Sequence, residues 1–335
     1  TGVGPMPFNT INRVRQSTAL TYLNPARNRT NLTLRADCNV RKIKLSNKKA
    51  IGVEVEKDGD VFIEKGSEII VSAGAIGSPQ LLMLSGIGPN EHLRGKGIEV
   101  LHHLPGVGQN LRDHPQVRLT WEVKDDYEHL KDGSKRGATV AIRYTAEGSE
   151  LHNDMMVHHT ATVPERFYMT DGEDMYKGVG MSACLYLQIG SGELLLRSSD
   201  PQVQPHLNYN YFKEEEDLRR MRECVRLCAE VGDGTSYKEI VTRRIQPTEQ
   251  ELKDNDLLDL WILKNATTSH HISGTCKMGL ESDPMAVVDQ YGNVHGFENL
   301  RLADASIMHD CVRANTNVPT MMIGEKIAEF IKQGK

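Results

Sequence analysis

Alternating apolar and polar residues recur along two long stretches of the sequence, and this pattern constrains the fold most. The first stretch, residues 32–72, contains LTLRADCNVRKIKL, AIGVEVEKDG and SEIIVSAGA. The second, residues 116–200, contains VRLTWEV, TVAIRY, DMMVHHTATV, SACLYLQI and GELLLRSSD. A period of two is typical of strands with one buried face, and the Asp-Gly pair in the first stretch favours a tight turn. We therefore expect strands in both stretches and a mainly antiparallel sheet in the second.

Helical spacing of apolar residues appears between and after these strands. QLLMLSGIG predicts a helix that Ser78-Pro79 opens and Gly86 closes. EEEDLRRMRECVRLCAEV predicts a helix that covers the second sheet, because its apolar residues recur at helical spacing, namely Leu218, Met221, Val225 and Cys228. TEQELKDNDLLDLWILKNA predicts another amphipathic helix, and NLRLADAS with PTMMIGEKIAEFIKQ predicts a last strand and a last helix. The fold class is therefore α/β (α+β), with helices on a mainly antiparallel sheet.

The domain organisation follows from length and from one loop. The 335 residues suit two domains of roughly 100 to 200 residues each. PGVGQNLRDHP, residues 105–115, is too rich in Gly, Asn, Asp and Pro for a regular element, so we expect an ordered loop and a domain border there. We predict a first domain over 1–115, a second over 116–265, and a return to the first over 266–335.

Charge and cysteine usage exclude several functions. The chain has 40 Lys and Arg against 45 Asp and Glu, a net charge of -5, which offers no broad cationic field for nucleic acid. No apolar run approaches the roughly 20 residues of a membrane span, so we expect a soluble, cytoplasmic protein, with secretion left open. The six cysteines lack paired CxxC spacing, so we expect reduced thiols, with Cys224 and Cys228 packed as small hydrophobes, and no metal site.

The glycine-rich segments do not form a dinucleotide fingerprint. Gly2-Val-Gly4, Gly86-Ile-Gly88 and Gly106-Val-Gly108 each lack the third glycine, the preceding strand or the following helix of G-x-G-x-x-G. We interpret them as turn glycines. A self-sufficient dinucleotide site is therefore not encoded in these residues.

Several longer strings resemble a known enzyme family. SAGAIGSPQLLMLSGIGPNEHLRGKGIEVLHHLPGVGQNLRDHP, at 72–115, is similar to the second signature region of the glucose-methanol-choline (GMC) flavin oxidoreductases. STALTYLNPARNRTNLTL, GELLLRSSDPQVQPHLNYNYF, HHISGTCKMG and NLRLADASIMHDCVRANTNVPTMMIGEKIAEFI extend the resemblance over most of the chain. It implies FAD as cofactor, residues 1–115 and 266–335 as parts of the FAD-binding domain, and 116–265 as the substrate-binding domain. Since the family's G-x-G-x-x-G is missing here, we expect an N-terminal FAD-binding fragment or a second chain carrying it as partner.

The resemblance also implies the reaction and its residues. His271, in H-x-x-G-T-C-x-M-G, matches the family's catalytic base, and histidine titrates in the pH range that this task requires. Asn315 matches the second active-site position, where its amide donates to the alkoxide. His270 and His158 are weaker candidates for substrate contact. His158 and His159 are adjacent on a predicted strand and point to opposite faces, which excludes a paired metal site there.

Eight further residues match cofactor-binding positions. They are Val40, Ala73, Gly74, Asp304, Ala305, Asn317, Pro319 and Thr320. Alternatives remain for two of them, since Asp304 also suits an ordinary strand end and Asn317 also suits a cap of the last helix, which we favour. The N-terminus of that helix carries positive partial charge, suited to an anionic reduced flavin.

The function predicted from these residues is FAD-dependent oxidation of a small-molecule alcohol, with hydride transfer to flavin N5 and O2 or another acceptor to reoxidise the flavin. Two alternatives are kept. One is a flavin-containing hydroxynitrile lyase-like enzyme, in which the histidine acts as acid and base without net redox change. The other is a non-catalytic partner subunit of a split GMC protein.

Overall fold

The computed structural model of the protein describes residues 2–12, 14–124, 140–160 and 178–335. Contacts divide the chain into two units. Unit 1 comprises Thr1–Phe8, His114–Gly190 and Tyr211–His270, and unit 2 comprises Asn9–Asp113, Ser191–Asn210 and His271–Lys335. The ends of two predicted strand segments, Thr139 and residues 161–163, lie outside the described residues. The assignment of segments to flavin and substrate binding stays a prediction.

The strands and helices are numbered along the chain. The strands are β1 Gly2–Pro5, β2 Thr10–Ile11, β3 Val14–Arg15, β4 Asn39–Ser46, β5 Lys49–Lys57, β6 Asp60–Lys65, β7 Ile69–Val71, β8 Ile87–Gly88, β9 His102–His103, β10 Pro115–Val123, β11 Val140–Tyr144, β12 Met155–Thr160, β13 Gly178–Leu185, β14 Glu193–Leu195, β15 His206–Asn208, β16 Val241–Gln246, β17 Thr267–Thr268 and β18 Leu300–Leu302. The helices are α1 Asn24–Ala26, α2 Gly74–Leu84, α3 Asn90–Gly95, α4 Glu215–Gly232, α5 Glu249–Lys253, α6 Asn255–Asn265 and α7 Asn317–Lys332. A π-helical turn spans Ala19–Leu23 and a 3-10 turn spans Ala305–Ile307. Among the described residues, no helix is long and apolar enough to cross a membrane.

Unit 1 is built on a seven-stranded antiparallel sheet. Its strand order is β1-β11-β12-β13-β10-β16, and β17 pairs with the start of β10. One face packs against α4 and α6 around Trp121, Met221 and Val225, all nearly or fully buried. Cys224 and Cys228 lie in the same core, and all six cysteines are unbridged. The structure therefore confirms the antiparallel sheet and its covering helix.

A buried ion cluster joins α4 to two loops of unit 1. Arg220, with no exposed surface, contacts Asp154 at 2.8 Å and Asp217 at 2.5 Å. Asp217 also accepts hydrogen bonds from the backbone nitrogens of Ile189 and Gly190. Because each buried charge has a partner of opposite charge, the cluster holds α4 against two loops, the one at Asp154 and the one at Ile189 and Gly190.

Unit 2 contains an antiparallel meander and two short parallel pairs, β7 with β18 and β8 with β9. β4, β5 and β6 follow each other, and the predicted Asp58-Gly59 turn joins β5 to β6 with both residues at positive φ. β7 pairs in parallel with β18, so that Val71 lies opposite Leu302. Parallel pairing needs a long connection, and the chain between β7 and β18 includes segments of both units.

Helix α2 begins earlier than the sequence predicted. It starts at Gly74, and Pro79 lies inside it rather than at its start. Proline has no N–H, so the carbonyl of Ala75 lacks its intrahelical donor. The hydroxyl of Thr275 donates to that carbonyl at 2.7 Å. A residue 200 positions away thus makes the proline compatible with the helix. Gly86, at φ 82°, follows the helix end as expected.

Two other element predictions were wrong in their bounds. Residues 32–38 form no strand, because Asp37 has a φ of 56° and interrupts the extended chain. The helix predicted over 248–266 is divided into α5 and α6. Asp254, in an extended conformation, separates them and caps α6 by accepting hydrogen bonds from the backbone nitrogens of Asp256 and Leu257.

Candidate functional site

The carboxyl ends of β7 and β18 lie side by side and hold Asp304. This residue is buried, with 3% of its surface exposed. One of its oxygens accepts from the backbone nitrogen of Gly74 at 3.0 Å and from the hydroxyl of Ser78 at 2.5 Å, and the other accepts from the backbone nitrogen of Ser306 at 2.7 Å. Asp304 therefore joins the N-terminus of α2 to the turn after β18, where an anion is electrostatically favoured.

The H-x-x-G-T-C-x-M-G segment runs beside the turn that follows Asp304. The backbone nitrogen of Gly274 donates to the carbonyl of Ala305 at 3.0 Å, and that of Cys276 donates to the carbonyl of Ser306 at 2.8 Å. Gly274 has a φ of 80°, and a Cβ there would lie 2.7 Å from the carbonyl oxygen of Asn110. Glycine is therefore required at this position by both conformation and space.

His271 is buried at the start of this segment, with 7% of its surface exposed. Its backbone nitrogen donates to the carboxylate of Asp113 at 2.9 Å. Its carbonyl accepts a hydrogen bond from the thiol of Cys311 at 3.6 Å. Both backbone polar groups of His271 are therefore hydrogen-bonded. The position of its imidazole thus depends on Asp113 and Cys311, which are far away in sequence.

Residues 110–113 are positioning residues that the sequence reasoning missed. The side-chain amide of Asn110 donates to the carbonyls of Gly274 and His309, each at 3.2 Å. The backbones of Arg112 and Ser273 exchange two hydrogen bonds of 2.9 Å. The Arg112 guanidinium also contacts Asp310 at 2.9 Å. The string NLRDH within the predicted irregular loop was the available signal, because four of its five residues are polar and suit side-chain to backbone bonding.

Cys311 is a structural thiol at this site. Burial raises its pKa to about 12, and the nearby carboxylates of Asp113 and Asp310 act in the same direction. A thiol with such a pKa stays protonated and unreactive at neutral pH. It therefore serves as the hydrogen-bond donor to His271 rather than as a nucleophile.

The start of α7 carries four of the predicted residues. Asn315 is exposed and precedes the helix, while Asn317 is its first residue. Pro319 and Thr320 lie in the first turn, as expected. The favoured cap role of Asn317 was wrong: Thr316 occupies the cap position, and its side chain forms no cap bond. One helix residue, Ile323, packs against the buried cluster of Ala75, Ala305 and Met308, which connects α7 to the turn after Asp304.

The remaining predicted residues lie on other segments of the chain. Val40, on β4 of unit 2, is 38% exposed. His158 lies on β12 of unit 1. His270 is the last residue of unit 1, exposed and at a φ of 61°, with its backbone nitrogen bonded to the hydroxyl of Thr268. The structure thus brings together His271, Gly74, Asp304 and Ala305 in unit 2, with Ala73 next in sequence.

Comparison with known families identifies the chain. A sequence model described as GMC oxidoreductase matches residues 1–116, and a second of the same description matches 190–324. The chain therefore belongs to the GMC oxidoreductase family, whose cofactor is FAD. The family named from the sequence, and its fold class, are confirmed.

Individual relatives are similar over almost the whole chain. An oxygen-dependent choline dehydrogenase of Photobacterium profundum is 33% identical over 98% of this chain and 61% of its own length. The mitochondrial choline dehydrogenase of Homo sapiens is 36% identical over 99% of this chain and 59% of its own length. The chain thus spans about three fifths of these relatives.

Two solved structures share the fold. Pyridoxine 4-oxidase from Mesorbium loti superposes with a TM-score of 0.88 at 23% identity, covering 99% of this chain and 64% of that one. A formate oxidase of Aspergillus oryzae superposes with a TM-score of 0.85 at 24% identity, covering 96% and 63%.

Proposed function

We propose that the protein catalyses FAD-dependent oxidation of an alcohol to an aldehyde or ketone, with His271 as the base. The observation that carries this proposal is the fixed, buried backbone of His271, bonded to Asp113 and Cys311 beside the turn of Asp304. A base must be held within hydrogen-bond reach of the proton it removes, and such a constraint supplies that precision.

The residues at the strand ends fit a flavin. Ala73 is exposed, and a Cβ built on Gly74 would meet no atom within 4 Å, so this side of the loop is open to a ligand. Val40, Ala73, Gly74 and Ala305 would hold the cofactor through small side chains and backbone groups. Asp304 would act indirectly, because its carboxylate fixes the N-terminus of α2. Bound FAD supplies the hydride acceptor.

The residues at the start of α7 would bind the negatively charged groups and the substrate oxygen during the reaction. Asn317, Pro319 and Thr320 lie in its first turn, where the helix dipole favours negative charge. Asn315, exposed just before the helix, would donate its amide to the substrate oxygen as the proton leaves. His271 would then carry the proton on its imidazole.

We further propose that the active protein includes a G-x-G-x-x-G segment, either upstream or on a second chain. This rests on the absence of that fingerprint from residues 1–335 and on the longer relatives. Native mass measurement of the yellow complex should find such a segment with stoichiometric flavin. Stoichiometric FAD on residues 1–335 alone would contradict this part.

The reaction is tested by adding alcohols to the flavin-loaded protein without oxygen. Bleaching of the flavin absorption by an alcohol supports oxidation. Cleavage of a cyanohydrin without bleaching would favour the lyase alternative instead. If a complex retains full alcohol oxidation after His271→Ala, the catalytic base lies elsewhere and the chain is a non-catalytic partner.

A further inference from the structure

A cavity of about 450 Å³ opens on unit 2 beside the turn that follows Asp304. Its lining includes apolar side chains and two that can form hydrogen bonds: Met278, Ile307, Met308, Ile323, Gln290 and His309. All of its lining residues lie within His271–Lys335, one of the three pieces of unit 2. The cavity is therefore formed within that unit.

Met308 connects this cavity to the residues proposed to hold the flavin. It is 7% exposed and belongs to a buried cluster with Ala75 and Ala305. Its backbone nitrogen donates to the carbonyl of Ala305 at 3.3 Å, at the end of the 3-10 turn. This one residue therefore lines the cavity and also packs against the first turn of α2 and the turn after Asp304.

Met278 is attached to the same turn. Its backbone nitrogen donates to the carbonyl of Ile307 at 2.9 Å, and its half-buried side chain packs against the main core of unit 2. The next residue, Gly279, donates its backbone N–H to the carbonyl of Val288 at 2.9 Å. Two thioether groups are thus held at one cavity, next to the strand ends where Asp304 lies.

Hydrogen peroxide oxidises the thioether of methionine to a sulfoxide. One peroxide oxygen forms a bond to sulfur as the O–O bond breaks, the sulfur loses two electrons, and the other oxygen leaves with both protons as water. Peroxide is close to water in size, so a cavity of this volume admits it, and Gln290 and His309 can form hydrogen bonds with it. The product is polar where the thioether was apolar.

We propose that Met278 and Met308 form a peroxide-sensitive pair whose oxidation weakens the hold of unit 2 on the flavin. A sulfoxide on Met308 would place a polar oxygen against Ala75 and Ala305, in a cluster whose described members are all apolar. A buried polar group without a partner destabilises the packed arrangement, so the turn after Asp304 and the N-terminus of α2 should loosen. The role of the pair during turnover rests on the proposed alcohol oxidation, in which O2 takes up two electrons and two protons and becomes hydrogen peroxide.

The site is tested first with added hydrogen peroxide, because this does not require turnover. Peptide mass spectrometry of the complete flavin-loaded protein should find sulfoxide at Met278 and Met308. The temperature at which flavin is released should fall by about 2 to 4 °C, in line with one unpaired buried polar group. Incubation with methionine sulfoxide reductases for both sulfoxide epimers should restore the release temperature.

Two variants separate this site from general oxidation. The combined Met278→Leu and Met308→Leu protein should keep its release temperature after treatment, because leucine has nearly the volume of methionine and carries no sulfur. Met322→Leu is the matched control, since Met322 is 52% exposed on α7 and lies outside the lining of the cavity. This control should lose as much as the wild type does. Absence of sulfoxide at Met278 and Met308, or an equal loss in the combined variant, would overturn the inference.

Turnover is measured last, with an alcohol and oxygen in place of added peroxide. Sulfoxide should form at Met278 and Met308, and the release temperature should fall as it accumulates. Sulfoxide confined to Met322 would overturn the inference. If added peroxide produces the expected changes but no alcohol reduces the flavin, only the proposed function is contradicted.

Discussion

The backbone nitrogen of His271 lies 2.9 Å from the buried carboxylate of Asp113, a residue 158 positions earlier in the chain. This bond holds the loop of the proposed base to the segment that precedes β10. Since the carboxylate has no exposed surface, removing it leaves a buried N–H group without its acceptor.

Asp113→Ala should destabilise the protein by about 1.5 to 3 kcal/mol, because hydrogen bonds to charged groups are stronger than neutral ones. Asp113→Asn keeps an oxygen acceptor and should lose less. Urea unfolding of the flavin-loaded protein measures both. Equal stability of the two variants would mean that the bond to His271 contributes nothing.

His271→Ala should slow flavin reduction by about 10²- to 10⁴-fold, the usual contribution of a general base. Asn315→Ala should slow it less, because it removes one hydrogen bond and leaves the proton acceptor. Rapid mixing with an alcohol under anaerobic conditions gives both rates, and the flavin spectrum verifies that FAD is retained. A larger loss in the Asn315→Ala protein would reverse the assigned roles.

Thr275→Val should cost about 1 to 3 kcal/mol, since the carbonyl of Ala75 then loses the donor that replaces the missing N–H of Pro79. Thr275→Ser keeps the hydroxyl and serves as the control. In a Pro79→Ala background, the new N–H restores the helical bond, so the same Thr275→Val change should cost less. Additive effects in this double-mutant cycle would show that the two residues are not coupled.

Arg220→Met should destabilise unit 1 by about 3 to 5 kcal/mol, because it leaves Asp154 and Asp217 as buried charges without their partner. Arg222→Met, on the same helix, breaks a partly exposed pair with Asp259 and should cost about 1 kcal/mol or less. Thermal unfolding of the two variants provides the comparison. Similar losses would indicate that burial of the Arg220 cluster is not what matters.

His92 should make stability fall in acid. Its Nε2 accepts a hydrogen bond from the backbone of Leu196 at 2.9 Å, and burial lowers its pKa, with the charge of Lys96 acting in the same direction. The unfolded chain therefore binds a proton more readily, so the stabilisation is present above the unfolded value of 6.5 and is lost as pH falls through the lowered pKa. His92→Gln should flatten the melting temperature between pH 8 and pH 5 relative to the wild type. An unchanged slope would assign the acid sensitivity to other groups.

The sequence predicted the elements whose pattern is local. The alternation of β10 to β13, the apolar stripe of α4 and the turn at Asp58-Gly59 all follow from neighbouring residues. The start of α2 was missed, because its compatibility with Pro79 depends on Thr275. The break at Asp254 was missed because the surrounding apolar spacing continues through it.

The candidate site divides in the same way. His271 and Asp304 lie in recognisable strings, and the structure brings their loops together. Asn110, Arg112 and Asp113 act through bonds to residues more than 150 positions away, so no local pattern could assign their partners.

Each of the two units is assembled from three separate pieces of the polypeptide, and His271 is the first residue after one of the passages from unit 1 to unit 2. Neither unit can therefore be inherited as an uninterrupted cassette, and a single recombination event cannot transplant the sheet of unit 1 from one relative into another. Divergence of substrate range in such a chain must proceed by replacement of individual residues in place.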